Sequence, residues 1–148
     1  MKALIAIQNE IKAPKGQVNK FGNYNYRSCE DILMAVKPLL EKHNASILIT
    51  DEIKEVAGIP YVEATVVFKS SDSEALSVRA QAGINPNRKG MDIAQSFGSS
   101  SSYARKYALA GLLLLDDNKD SDSMDNSKEE FQLWAAKNWF KAAKNGLQ

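Results

Sequence analysis

Hydrophobic positions change their period along the chain, and each change marks an element. Ile5, Ile7 and Ile11 stand among polar residues and predict a first helix, which Pro14 and Gly16 should end. Lys15 to Arg27 carries no apolar period and reads as a polar, aromatic loop. Ser28 with Asp31 three residues on is a capping-box pattern. Cys29, Ile32, Leu33, Val36, Leu39 and Leu40 then recur at helical spacing, so the second helix is the clearest amphipathic one. Pro38 lies inside it and predicts a bend, and Asn44 suits a left-handed stop.

The period then drops to two. Ile47, Leu48 and Ile49 open a strand, Ala57-Gly58 marks a turn, and Val62, Ala64, Val66 and Phe68 alternate with Tyr61, Glu63, Thr65 and Lys69 in a second strand. Leu76, Val78, Ala80 and Ala82 repeat the rule in a third, with Ser70 to Ser73 as the hairpin between them. Asn85-Pro86-Asn87 is a loop, and the segment Phe97 to Leu109 belongs to a further helix. The order predicts an α+β fold in which a three-stranded antiparallel β-meander is packed with helices on one face. The core domain should span 1–116. Residues 117–127, acidic and rich in Ser and Asn, read as a flexible linker, and 128–148 as a C-terminal amphipathic helix with Phe131, Trp134 and Trp139 on one side.

The 148 residues are 44% hydrophobic and 25% charged, an ordinary globular composition. A single cysteine, Cys29, rules out an intrachain disulfide framework, and with one histidine it cannot build a Cys/His zinc site. Polar residues interrupt the first apolar run too early for a signal peptide, and no apolar stretch reaches membrane-spanning length, so a cytoplasmic protein is expected. Net charge is only +1, and it is unevenly spread: 1–116 hold 14 Lys+Arg against 12 Asp+Glu, while 117–127 hold one Lys against four Asp. A polyanion would therefore be held by a local stripe and not by bulk charge.

Phe97-Gly-Ser-Ser-Ser-Ser-Tyr-Ala-Arg-Lys-Tyr-Ala-Leu109 gathers hydroxyls, aromatics and cations in one helical segment. Serines favour helix starts, which places Ser99 to Ser102 where hydroxyls and free N–H groups can receive an anion, with Arg105 and Lys106 just beyond to contact phosphate. A solvated cationic patch is the plainer alternative. Tyr103 and Tyr107 share a face, and spacing alone favours the core for at least one of them. Lys15, Lys20 and Arg27 interleave with Phe21, Tyr24 and Tyr26, a mixture suited to a single strand's backbone and bases, although a loop pinned by its own aromatics fits equally. Arg79, Arg88 and Lys89 are lesser candidates. Glu30 and Asp31 are explained by helix capping, Asp51, Glu52 and Glu55 by a solvated turn, and Asp116, Asp117, Asp120 and Asp122 by a solvated linker, since the calcium-loop pattern is incomplete. No nucleotide-binding Gly-Lys-Ser/Thr motif is present.

The segment from Gly98 through Leu109 with its following Asp116-Asp117-Asn118-Lys119-Asp120 resembles the signature of the essential recombination function (ERF) family of phage single-strand annealing proteins. Phe21-Gly22-Asn23-Tyr24-Asn25-Tyr26-Arg27-Ser28, leading into Glu30-Asp31-Ile32 and Ala35 to Leu40, is similar to that family's N-terminal motif. The likeness spans most of 20–120 and does not reach 121–148. It implies a phage-encoded, ATP-independent protein that binds single-stranded DNA and anneals complementary strands. It also implies a fold like the annealing recombinases, assembly into a ring or other homo-oligomer, and action in the host bacterial cytoplasm. On that reading the protein is not an enzyme and has no catalytic residue, metal or cofactor. Its DNA contacts come from Arg105, Lys106, Arg27, Lys20, Tyr26, Ser99, Ser102, Arg79, Arg88 and Lys89, and a single-strand-binding protein or an exonuclease is a further partner. The rival expectations are a plain single-strand DNA-binding protein without annealing activity and a metal-dependent nuclease using the acidic cluster.

Overall fold

The computed structural model describes residues 1–87 and 89–115. The expected acidic linker and C-terminal helix lie outside the described residues.

Helix α1 (Lys2–Glu10) buries Ala3, Leu4 and Ile7 and leaves Ile5 exposed, so its apolar stripe runs through Leu4 and Ile7 to Ile11. Helix α2 (Cys29–Lys42) opens on the expected capping box: the Asp31 N–H donates to Ser28 Oγ at 3.1 Å, and the Ser28 N–H to the Asp31 carboxylate at 2.8 Å. It buries Ile32 and Val36, carries Pro38 inside, and is followed by Asn44 at φ 49°.

In the chain segment that connects α1 to α2, residues 16–26 belong to a different compact unit from the helices. The sequence suggested a loop there; the chain instead makes a short hairpin of β1 (Gln17–Asn19) and β2 (Tyr24–Tyr26). Asn19 Oδ1 accepts from the Phe21 and Gly22 N–H groups at 2.9 and 3.1 Å, and Asn23 supplies the positive φ of 51° that the reversal needs.

The meander of β3 (Ala45–Val56), β4 (Ile59–Ser70) and β5 (Ser73–Gly83) has β4 in the centre, and both pairings are antiparallel. Val56 pairs with Ile59 across a two-residue turn whose central residues, Ala57 and Gly58, have φ of 50° and 78°, the signature of a tight twisted hairpin. The period-two reading holds: Val62, Ala64, Val66 and Phe68 are all but solvent-free, while the opposite face stays open to water. Across that face Glu63 is enclosed by Lys54 and Gln81, at 2.7 and 3.0 Å. Helix α3 (Ile93–Leu113) lies on β4 and β5, α2 lies on β3 and α3, and α1 packs against the other two helices. Ile7, Ile32, Val36, Leu109 and Leu113 close the core over Phe68 and its row.

Candidate nucleic-acid interface

Helix α3 starts earlier than the serine run suggested. Asp92 is the N-cap: its carboxylate accepts from the Gln95 N–H at 2.8 Å, and the Asp92 N–H donates to Gln95 Oε1 at 3.1 Å. Ser99 to Ser102 therefore sit in the helix interior, where backbone N–H groups are already bonded, and the expected anion-receiving helix start is not at these residues. Serine lowers helix propensity there, and the offset is tertiary. Ser96 Oγ donates to the Asn85 carbonyl at 2.6 Å and Ser100 Oγ to the Gly83 carbonyl at 2.9 Å, tying the helix to the chain that leaves β5. Ser96, Ser100, Ala104 and Ala108 are all buried and recur every four residues, so small side chains face the sheet.

The neighbouring cations go to different places. Arg105 turns toward β3 and grips Asp51, with Nε at 3.1 and 3.2 Å from its two oxygens and Nη2 at 3.0 Å; Ser101 Oγ donates to the same carboxylate at 2.5 Å. Asp51 is thus no solvated turn residue but a strand residue joined to α3. Burial pushes its carboxyl up, and the hydrogen bonds from Arg105 and Ser101 with the guanidinium charge outweigh that, holding it below the ordinary aspartate range. Lys106 was expected on the surface and is only 6% exposed, with Nζ 6.0 Å from the centroid of the Tyr107 ring. Burial raises the Cys29 thiol more than the nearby Arg105 charge lowers it, so this cysteine is kept as a thiol.

Arg27 is also buried, and its Nε donates to the Ala13 carbonyl at 2.7 Å; that bond anchors the chain entering α2 instead of presenting a cation. On the hairpin body, Lys20 is exposed at the tip beside Phe21, whose ring is entirely in solvent. Tyr26 is half-buried and lies 6.1 Å from Tyr24, ring centre to ring centre. Arg79 is exposed on the open sheet face opposite Thr65, Lys89 is exposed in the loop after β5, Ser102 is exposed, and Ser99 is half-buried. Arg88 lies outside the described residues.

On the flank of α3 away from Arg105, the helix and the end of β5 enclose a groove of about 320 Å³. Its walls are Ser99, Tyr103 and Tyr107 on the helix and Ala82, Gly83 and Asn85 on the strand side. The two tyrosines stack at 6.3 Å with ring planes 27° apart, and Tyr103 is 47% exposed. Sequence spacing put these rings on one face correctly, but the face overhangs the sheet edge and not the core. No helix among the described residues is long and apolar enough to cross a membrane.

The fold and the groove define a small α+β domain, one antiparallel meander under three helices. The family is more specific: a family model for the ERF superfamily matches residues 1–138, and the chain belongs to that superfamily. The match carries the likeness past residue 120, where the sequence motifs ended. The chain is similar to the essential recombination function protein of Salmonella phage P22, 46% identical over 127 residues, which cover 86% of this chain and 60% of the phage protein. It therefore spans about three-fifths of that relative's length. No solved structure matches it.

Proposed function

We propose that this chain serves phage homologous recombination by binding single-stranded DNA and annealing complementary strands without nucleotide hydrolysis, as a homo-oligomer in the host cytoplasm. The observation that carries this reading is membership of the ERF superfamily, with a close relative whose name states an essential recombination function. The geometry supports it through exposed Lys20 and Phe21, Lys89 and Tyr103. Cations at such points screen the repulsion between two phosphate backbones, aromatic faces hold bases out of hairpins, and base pairing supplies the free energy. No bond is made or broken, so no catalytic group is required.

The test is binding and annealing of purified protein. Affinity for an oligonucleotide, followed by anisotropy, should fall with salt at about 0.7 logarithmic units per contacted phosphate and vary little with sequence. Annealing of a labelled complementary pair should proceed with a chelator present and ATP absent. Strict dependence on ATP, or cleavage of the strand with magnesium, would overturn the proposal. Binding without faster annealing would return the protein to a plain single-strand binder.

A further inference from the structure

The groove between α3 and the end of β5 has features that packing alone does not require. The sheet-facing side of α3 is completed by Ser96, Ser100, Ala104 and Ala108, and Tyr103 stands outside that row with 47% of its surface in water. Tyr107 backs it at 6.3 Å with ring planes 27° apart. A rigid tyrosine with few rotatable bonds offers contact area at small entropic cost. The groove floor is already satisfied, because the Ser96 and Ser100 hydroxyls are given to the Asn85 and Gly83 carbonyls. The Asn85 Oδ1 accepts from the Asn87 N–H at 3.0 Å, so the Ser99 hydroxyl and the Asn85 Nδ2 are the groups that would meet a polar edge. A volume of about 320 Å³ sits at the small end of ligand sites, room for one flat heterocycle and its sugar.

We propose that this groove is a base-binding subsite, in which an unpaired nucleobase of single-stranded DNA stacks on Tyr103 while Ser99 and Asn85 contact its polar edge. The proposal rests on the single-strand binding reading and gives it a source of strand selectivity. Bases in a duplex have both faces covered by their neighbours, so only an unpaired base can add a third layer to the Tyr103–Tyr107 stack. Contact to a ring face tolerates every base, which keeps sequence preference small.

The experiment uses the full chain and oligo-dT carrying 5-iodouracil, cross-linked by light and mapped by peptide mass spectrometry. The expected adduct is on Tyr103. Tyr103→Ala should weaken oligo-dT binding by about tenfold without changing the salt slope, since a stacked base and not a phosphate contact is lost, and Tyr103→Phe should bind within about twofold of the parent. Ser99→Leu keeps both rings, favours helix and fills the groove, and it should weaken binding as Tyr103→Ala does. The mapped adduct and the Ser99→Leu variant decide the matter even if Tyr103→Ala proves unstable. Adducts elsewhere, with Tyr103→Ala binding as tightly as the parent, would overturn the subsite and leave single-strand binding standing. A parent that binds no single-stranded DNA at all would instead remove the functional reading beneath it.

Discussion

Arg105→Ala should destabilise the fold before it says anything about DNA. The guanidinium approaches both oxygens of Asp51 at 3.0 to 3.2 Å and joins α3 to β3 across 54 residues of sequence. The side chains are 37% and 23% exposed, so the pair lies between a solvated surface bridge, worth about 0–1 kcal/mol, and hydrogen bonds to a charged group, worth about 1.5–3 kcal/mol. Discounted for screening at the exposed guanidinium, the coupling in a double-mutant cycle with Asp51→Ala comes to about 1 kcal/mol. The single Arg105→Ala loss is about 1–2 kcal/mol, because among the described residues Asp51 then keeps the Ser101 hydroxyl as its side-chain partner. For a chain of this size that lowers the melting temperature by a few degrees.

Urea titrations of the four proteins of the cycle give the coupling directly. The pair should also leave a mark in acid. A carboxyl held below its ordinary value adds stability that is fully present above the unfolded value, about 3.9, and is lost as pH falls through the lower folded value. Arg105→Ala should flatten stability against pH in that window alone. A coupling under about 0.3 kcal/mol, with additive single mutants, would refute the tie. Arg105→Lys keeps the charge but not the two-pronged geometry, and it should recover only part of the loss.

Phe68 is fully buried on β4, the central strand of the sheet, so Phe68→Ala should cost about 3–5 kcal/mol in urea unfolding. Ala57 holds φ 50° in the β3–β4 turn, where Asn is better tolerated, so Ala57→Asn should raise the urea midpoint by an amount equivalent to about 0.5–1 kcal/mol. Hydrogen bonds from Ser70 and the Ala3 N–H, with the N-terminal amine paired to the carboxylate at 3.2 Å, hold the Asp72 carboxyl down to about 2. Its contribution is present above the ordinary aspartate value and lost as pH falls toward about 2, so Asp72→Asn should lower the urea midpoint at neutral pH and abolish that acid-dependent component.

What could be read from the sequence followed the range of the interaction concerned. The inner row of β4 and the α2 capping box are set by neighbours two or three positions apart, and both appeared as expected. The β1–β2 hairpin escaped notice because three-residue strands carry no alternation; its trace was the turn chemistry of Asn19 and Asn23. The start of α3 was legible in the Asp92–Gln95 capping pair, but the serine run was judged by propensity, whereas Ser100 serves the carbonyl of Gly83 at the end of β5 and Ser101 the Asp51 carboxylate. Asp51 could not be paired with Arg105 from sequence, since that contact depends on the strand register that sets Asp51 opposite Ala64. Burial of Lys106 and Arg27 is likewise a tertiary outcome, which charge alone does not reveal.

The segment from Ser99 to Tyr107 looks like one site in sequence, and helix geometry divides it. Successive residues turn by about 100°, so Tyr103 and Tyr107 share a flank while Arg105 points about 160° away from each. One flank holds β3 through Ser101 and Arg105, another seals the sheet through Ser100 and Ala104, and the third opens on the groove. Substitutions at Tyr103, Arg105 and Lys106 should therefore have distinct signatures: affinity for the first, stability with acid dependence for the second, and burial-driven stability for the third. The exposed cations Lys20, Arg79 and Lys89 come from separate elements, and a net charge of +1 gives weak long-range attraction. On the proposed function, so little bulk charge would leave a preference for a single strand over a duplex to contacts that only unpaired bases can make. Among the described residues the Tyr103 flank of α3 offers a built groove for such contacts.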